Sequence, residues 1–315
     1  MVAQPSVSPQ PSHAVLTEAF GAALEFARDL APLTSYKTGG KARYFLPVQS
    51  ADDISRAVRA ARRLGIPFFL MGSGTNLLVS DDGYDGLVIR MEVAGLRLVD
   101  PVEIEAGAGE QLMDLVNFAT EHSLTGLEFA AGIWGTVGGA VYGNAGAYGG
   151  EIGDVLTGVK LIDQDGRLKE AEAHELGFAY RHSVLKETRE AVVLARFRLT
   201  LGGQAAIRAR VAEILKLRSE RHPADACSAG CFFKNIPDAR EDHGKLPAGR
   251  LLDQVGAKGM SVGGARVYEK HANIIVNAGG ATSKDIRRLA DILKQKVRDR
   301  FGIELQEEVQ QLGRF

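Results

Sequence analysis

Residues 126–156 read GLEFAAGIWGTVGGAVYGNAGAYGGEIGDVL, and this stretch decides the fold. Its core, Ala131 to Ala140, runs on into Asn144 to Gly150 with hardly a large side chain. So many small residues cost backbone entropy and return little core, unless something packs closely against the backbone. A flat ligand fits that demand; a glycine-rich structural crossover is the other reading. Upstream, Met71-Gly72-Ser73-Gly74-Thr75-Asn76 follows the apolar run IPFFLM and precedes Leu77-Leu78. Its consecutive N–H groups can form an anion-binding nest without a lysine, although an ordinary tight turn would read the same way. It lacks the GK[ST] ending of a P-loop and the third glycine of a dinucleotide fingerprint.

Working outward, Ile54, Ala57, Val58, Ala61 and Leu64 recur at helical spacing over 50–65, with Ser50 and Asp53 as a capping pair and Gly65 as the stop. Apolar runs at 66–71 and 86–91 predict buried strands, making a strand-helix-strand unit. A helix is expected over 110–122, strands at 158–163 and 167–172 joined by Asp165-Gly166, and another strand at 191–201. Beyond Gly202-Gly203, helices are expected over 205–221 and from Ser283 to Phe301, the latter with Ile286, Leu289, Leu293 and Val297 inward. Interleaved helices and strands give an α+β class. The expected division is a disordered tail at 1–14, a unit at 15–203 with lobes 15–85 and 86–203, and a second α+β unit at 204–315.

The chain has 315 residues, beyond the size at which one core usually stops growing. With 38 Lys+Arg against 39 Asp+Glu there is no global charge to draw nucleic acid or an anionic membrane. No apolar run approaches the ~18 residues that span a bilayer, and the first dozen residues fit no signal or transit peptide. Two cysteines, Cys227 and Cys231, are too few for a secreted disulfide framework, so a reducing cytoplasm is expected. Their C-x3-C spacing has no histidine pair beside it, so no metal is expected; a regulatory disulfide is the remaining reading.

Three distant stretches carry the chemistry: Tyr180-Arg181-His182-Ser183, then Ser228 to Asn235 (SAGCFFKN), then Glu307-Glu308-Val309. A guanidinium, a weak acid on a glycine turn and a carboxylate suit a reaction passing through an enolate-like anion. Arg181, Cys231 and Glu308 are the catalytic candidates. Each has a plain alternative: a surface arginine, a buried structural cysteine, a solvated carboxylate. Two adjacent glutamates on an extended segment face opposite ways, so Glu307 is read as a solvated charge.

GSGTNLLVSDDGYDGLVI at 72–89 and the 126–156 stretch resemble the two FAD-binding segments of the UDP-N-acetylenolpyruvoylglucosamine reductases, and YR-x-S, the SAGCFFKN block and the segment around Glu308 resemble that family's catalytic motifs. The resemblance covers roughly 34–313 and implies a vanillyl-alcohol-oxidase/PCMH-type FAD-binding domain followed by a smaller substrate-binding domain. It implies non-covalent FAD held by Gly72, Ser73, Gly74, Thr75, Asn76, Gly132, Thr136, Val137 and Gly138. It further implies NADPH as donor, an enolpyruvyl UDP-sugar as substrate, and a role in bacterial peptidoglycan precursor synthesis. Arg181 falls on the family's enolpyruvyl-contacting arginine, Cys231 on its proton donor and Glu308 on the glutamate that assists protonation. Tyr180, Arg221, Lys234 and Asn235 are carried over as substrate contacts; Arg218 and Arg221 read equally well as solvated surface.

The chain departs from the family at Trp134 and Glu307, where proline is usual, at Cys231, where serine is usual, and at Gln310, where arginine is frequent. A thiol, with an ordinary pKa near ~8.5, is a stronger acid than a serine hydroxyl. The short spacing from Arg181 to Cys231 resembles the type II members. The rival functions are another FAD oxidoreductase of the same superfold and a catalytically silent FAD or UDP-sugar binding protein. Oligomeric state is left open, a monomer being compatible.

Overall fold

A computed structural model describes residues 11–223, 227–241 and 244–315. Helix α1 (Pro11–Phe20) precedes the first sheet, whose strand order is Glu25–Asp29, Lys41–Val48, Tyr84–Met91, Phe68–Met71. Residues 11–14, expected in the tail, belong to α1; Leu16 anchors it in the core, and the Ser12 hydroxyl lies 3.2 Å from that of Tyr44. The rest of the expected tail lies outside the described residues. Helix α2 (Ala51–Arg63) links Lys41–Val48 to Phe68–Met71, both parallel to Tyr84–Met91. It starts where the capping pair places it: the Ser50 hydroxyl accepts from the Asp53 N–H at 3.1 Å. The first strand of the unit is therefore Lys41–Val48, whose alternating burial the sequence reading passed over. The lobe boundary expected at 85/86 falls inside Tyr84–Met91, the strand flanked by two parallel partners, so the first lobe runs to Met91.

The second sheet is antiparallel, in the order Leu168–Glu172, Leu156–Ile162, Ala191–Arg198, Glu103–Gly107, Leu96–Asp100. One face buries Ile104, Ala106, Val159, Leu161, Ala195 and Phe197 against α3 (Leu112–Glu121) and α4 (Val137–Gly143). On the other face the Glu105 carboxylate lies between Arg97 and Arg196, at 2.5 and 3.1 Å; burial pushes its pKa up, but the hydrogen bonds and charges of the two guanidinium groups together outweigh it and hold it low. A short helix, α5 (Leu185–Thr188), precedes the strand Ala191–Arg198.

Helix α6 (Gln204–Arg221) leads to a third, antiparallel sheet: Cys227–Cys231, Ile274–Asn277, Ala265–Val267, Ser261–Val262. Its core is closed by α7 (Ala248–Gln254) and α8 (Ser283–Phe301), with Ile286, Leu289, Leu293 and Val297 inward as the spacing predicts. The chain then returns to the first lobe. Gln310–Leu312 pairs in parallel with Leu77–Val79, and Tyr36 and Leu78 are buried in the third sheet's core. That return sets the site, because it carries the Glu308 segment beside the 72–76 loop. Among the described residues no helix is long and apolar enough to cross a membrane.

Candidate active site

Arg181 stands at the tip of a tight turn in which Ala179 and His182 exchange N–H···O bonds of 3.1 and 3.0 Å. Its φ of 55° is left-handed, a conformation that costs a non-glycine residue on the order of 1 kcal/mol and needs outside support. The Asn144 amide donates to the Ala179 carbonyl at 2.9 Å, and the Ser183 hydroxyl donates to that of Tyr142 at 2.7 Å. The guanidinium Nε then donates to Glu308 Oε1 at 2.7 Å and one Nη to the Gly146 carbonyl at 2.7 Å. Both side chains of this ion pair are about one-fifth exposed (23% and 21%), so it faces an opening rather than bulk water. Three of the five guanidinium donors have no acceptor among the described residues, leaving a fork for an anion.

Glu308 is fixed from two sides. Its N–H donates to the Phe232 carbonyl at 2.8 Å, and the Lys234 N–H donates to Gln306 at 2.8 Å, so its segment lies along the one that carries Cys231. Its carbonyl accepts from the Asn76 amide at 3.1 Å, and the Gln310 N–H donates back to the Asn76 carbonyl. Asn76 therefore ties the first glycine loop to the backbone that carries Glu308.

Cys231 ends a strand that bulges between Ser228 and Cys231, with Gly230 at φ 77° supplying the kink. Just beyond it the Asn273 amide clamps the chain, accepting from the Phe233 N–H at 2.9 Å and donating to the Phe233 carbonyl at 2.8 Å. Burial, then the Glu308 charge, push the thiol up to about 12, while Arg181 and Arg218 pull the other way. The acidity expected of an ordinary thiol is thus largely cancelled, and the proton stays on sulfur at neutral pH.

Tyr180 accepts the Asn235 N–H at 3.2 Å and carries the Lys245 ammonium 3.9 Å from its ring centre, while the Asn235 side chain accepts from the Ala248 N–H. The Lys234 charge acts on Lys186, which also feels Arg181 and Glu308. Arg181, Cys231, Glu308, Tyr180, Lys234 and Asn235 are thereby brought together. Arg221 is exposed, and its charge bears on His222 and His271 instead. Arg218, which sequence reading left at even odds with the surface, is partly buried; a Cβ on Gly132 would come 3.0 Å from its Cδ, and its charge reaches Cys231. Glu307 is not solvated either: Arg287 holds it at 2.8 Å and Lys294 at 3.3 Å. Lys186 went unnoticed, since nothing in the sequence reports its reach back to Arg181.

The glycine loops meet edge to edge. A Cβ on Gly72 would lie 2.5 Å from Thr136 Oγ1, and the Thr75 hydroxyl donates to the Trp134 carbonyl at 3.1 Å. The N–H groups of Ser73, Gly74, Thr75 and Asn76 find no acceptor among the described residues, as an anion-binding nest would require. Val137 and Gly138 differ: their N–H groups are spent on Glu110 and Ala108 at 2.8 and 2.9 Å, so they offer close approach rather than donors. Trp134 is 54% exposed beside this seam. Gly74→Ala is expected to weaken affinity for the FAD that the resemblance implies at least ~10-fold, because φ is 67° and the added Cβ would collide with the Leu33 carbonyl oxygen. Fluorescence titration of apoprotein with FAD checks this; unchanged affinity would show that the loop does not hold the cofactor.

His222, capping α6, has its pKa lowered from 6.5 to about 4 by burial, with Arg218, His271 and Arg221 adding to the effect. The unfolded chain takes up this proton near ~6.5 and the folded one only near 4, so stability is lost as pH falls through that window. For a ring still partly in water the loss is on the order of 1 kcal/mol. Denaturant midpoints at pH 7.5 and 4.5 should draw closer together in His222→Gln; equal gaps in both proteins would contradict it.

Residues 42–172 match the family described as FAD binding domain, and residues 222–312 match the UDP-N-acetylenolpyruvoylglucosamine reductase C-terminal domain. A protein of Caldanaerobacter subterraneus subsp. tengcongensis named UDP-N-acetylenolpyruvoylglucosamine reductase is 39% identical over 280 residues, covering 89% of this chain and 90% of its own. One of Heliobacterium modesticaldum with the same name is 41% identical over 281 residues, covering 89% and 88%. The crystal structure of the UDP-N-acetylenolpyruvylglucosamine reductase from Thermus caldophilus aligns with a TM-score of 0.76 at 34% identity, over 92% of this chain and 98% of that one. The fold class is the expected one, α+β, with an FAD-binding domain followed by a smaller α+β unit.

Proposed function

The chain belongs to the UDP-N-acetylenolpyruvoylglucosamine reductase family of FAD-dependent oxidoreductases, and on that premise we propose that it reduces UDP-N-acetylglucosamine enolpyruvate to UDP-N-acetylmuramate with NADPH. The setting would be peptidoglycan precursor synthesis in a bacterial cytoplasm. One observation carries the reading: the 2.7 Å Arg181–Glu308 pair lies beside Cys231, and its segment is tied through Asn76 to the loop in which the N–H groups of Ser73 to Asn76 lack acceptors among the described residues. FAD binding to this chain rests on the matched 42–172 region, and the glycine cradle and open N–H groups of Ser73 to Asn76 fit its pyrophosphate, with Gly132, Thr136, Val137 and Gly138 lining the neighbouring edge. Bound there, FAD would supply the hydride chemistry, with NADPH as the electron donor and C3 of the enolpyruvyl ether as the acceptor.

The chain's own residues then manage the charge and the proton. The free donors of Arg181 meet the substrate carboxylate, on which negative charge grows as C3 gains its hydrogen. Glu308 accepts the Arg181 Nε–H and holds that fork in place. Cys231 gives its Sγ proton to C2; the resulting thiolate faces Arg181 and Arg218 and regains a proton from water. Tyr180, Lys234 and Asn235 meet the sugar and diphosphate, a role that Arg218, lying against Gly132, fits better than the exposed Arg221.

Steady-state NADPH oxidation against a panel of acceptors tests this function. Consumption that requires the enolpyruvyl UDP-sugar, with a product carrying two more hydrogens, is expected. Equal rates with simple quinones or oxygen alone would favour a generic flavin oxidoreductase, and no oxidation would favour a silent binding protein.

A further inference from the structure

Lys186 lies five residues beyond Arg181, on α5, and turns back toward it. Its Nζ donates to the Arg181 carbonyl at 2.7 Å, and it passes 5.8 Å from the centre of the Tyr142 ring. The carbonyl it holds belongs to the one catalytic candidate with a left-handed backbone, φ 55°. A peptide in that conformation needs a grip from outside; Asn144 and Ser183 hold the residues on either side of Arg181, and the Arg181 carbonyl itself is held by a part-buried cation. We infer that Lys186 is a positioning residue for the reaction, locking the Arg181 turn so that the guanidinium stays aimed at Glu308 and at the substrate carboxylate. The inference deepens the proposed function and rests on it.

The groups facing the ammonium come from four directions. Lys234 approaches from the segment after Cys231, Glu308 from the C-terminal segment, Arg181 and Glu187 from either side along its own stretch, and the Tyr142 ring from α4. Burial and then Lys234 lower its pKa below the usual lysine value, with Glu308 opposing. Lys186 therefore gives up its proton, and its grip weakens, earlier on the alkaline side than a surface lysine would.

Two full-length holoenzyme variants, Lys186→Met and Lys186→Arg, test the inference by stopped flow, with flavin reduction by NADPH and reoxidation by the enolpyruvyl UDP-sugar timed separately at saturation. Lys186→Met is expected to slow reoxidation ~10–100-fold, the range of a lost charge-assisted hydrogen bond, and to slow reduction much less. Lys186→Arg, permanently charged, should recover most of the rate and move the alkaline fall of reoxidation to higher pH. The inference is overturned if Lys186→Met reoxidises at the wild-type rate, or if both steps slow equally and arginine neither rescues the rate nor moves the alkaline limb. Failure of the wild-type reduced enzyme to be reoxidised by the sugar would bring down the functional reading itself, whatever stands at position 186.

Discussion

Replacing Cys231 with alanine is expected to leave flavin reduction by NADPH intact and to cut product formation ~10²–10⁴-fold, the contribution of a well-placed general acid. The selectivity follows from position: Cys231 lies beside the Arg181–Glu308 pair, at the end of a strand kinked by Gly230. The proton is secure on sulfur, since burial and Glu308 hold the thiol at about 12. It leaves when C2 becomes basic enough to take it, and two guanidinium groups are close to the thiolate that remains. Cys231→Ser keeps a donor of smaller size in the same place and should retain substantial turnover. Separate timing of the two half-reactions checks both variants; normal turnover in the alanine variant would remove Cys231 from the mechanism.

Glu308→Gln should lower kcat ~10–100-fold with a smaller change in KM, because the carboxylate holds the Arg181 fork through a charge-assisted hydrogen bond that a neutral amide makes more weakly. Glutamine can still accept the Arg181 Nε–H, so the fork is kept and its charge balance is lost. A second readout is independent of turnover. Glu308 raises the Cys231 pKa, so removing its charge should bring thiol titration below about 12, visible in the pH dependence of alkylation. Burial is the larger cause, so the pKa should fall only part of the way to an ordinary thiol's. An unchanged thiol with an unchanged rate would mean that Glu308 serves the fold alone.

What the sequence discloses here follows the range of the interaction. Ser50 and Asp53 announce α2 because a cap is local, and the inward stripe of α8 is visible because helical spacing is local too. The 72–76 loop offers the nest reading locally, since Gly72 and Gly74 stand either side of Ser73. The pairing of Gln310–Leu312 with Leu77–Val79 leaves no local trace, and neither does the Arg287 and Lys294 grip that makes Glu307 a structural charge. Arg218 resembles any other cation on a basic helix until α6 is laid against Gly132. Lys186 is hidden for the same reason, since its partner is a carbonyl displayed by a left-handed turn. The three candidate stretches are visible in the sequence one by one, while the contacts that bring them together needed the fold.

An anaerobic absorbance titration of the purified holoenzyme, first with NADPH and then with UDP-N-acetylenolpyruvoylglucosamine, tests the central claim most directly. Bleaching of the flavin band followed by its stoichiometric return on adding the sugar is the expected result. Bleaching with no return would contradict the assignment of Arg181, Cys231 and Glu308 to the reduction of an enolpyruvyl sugar.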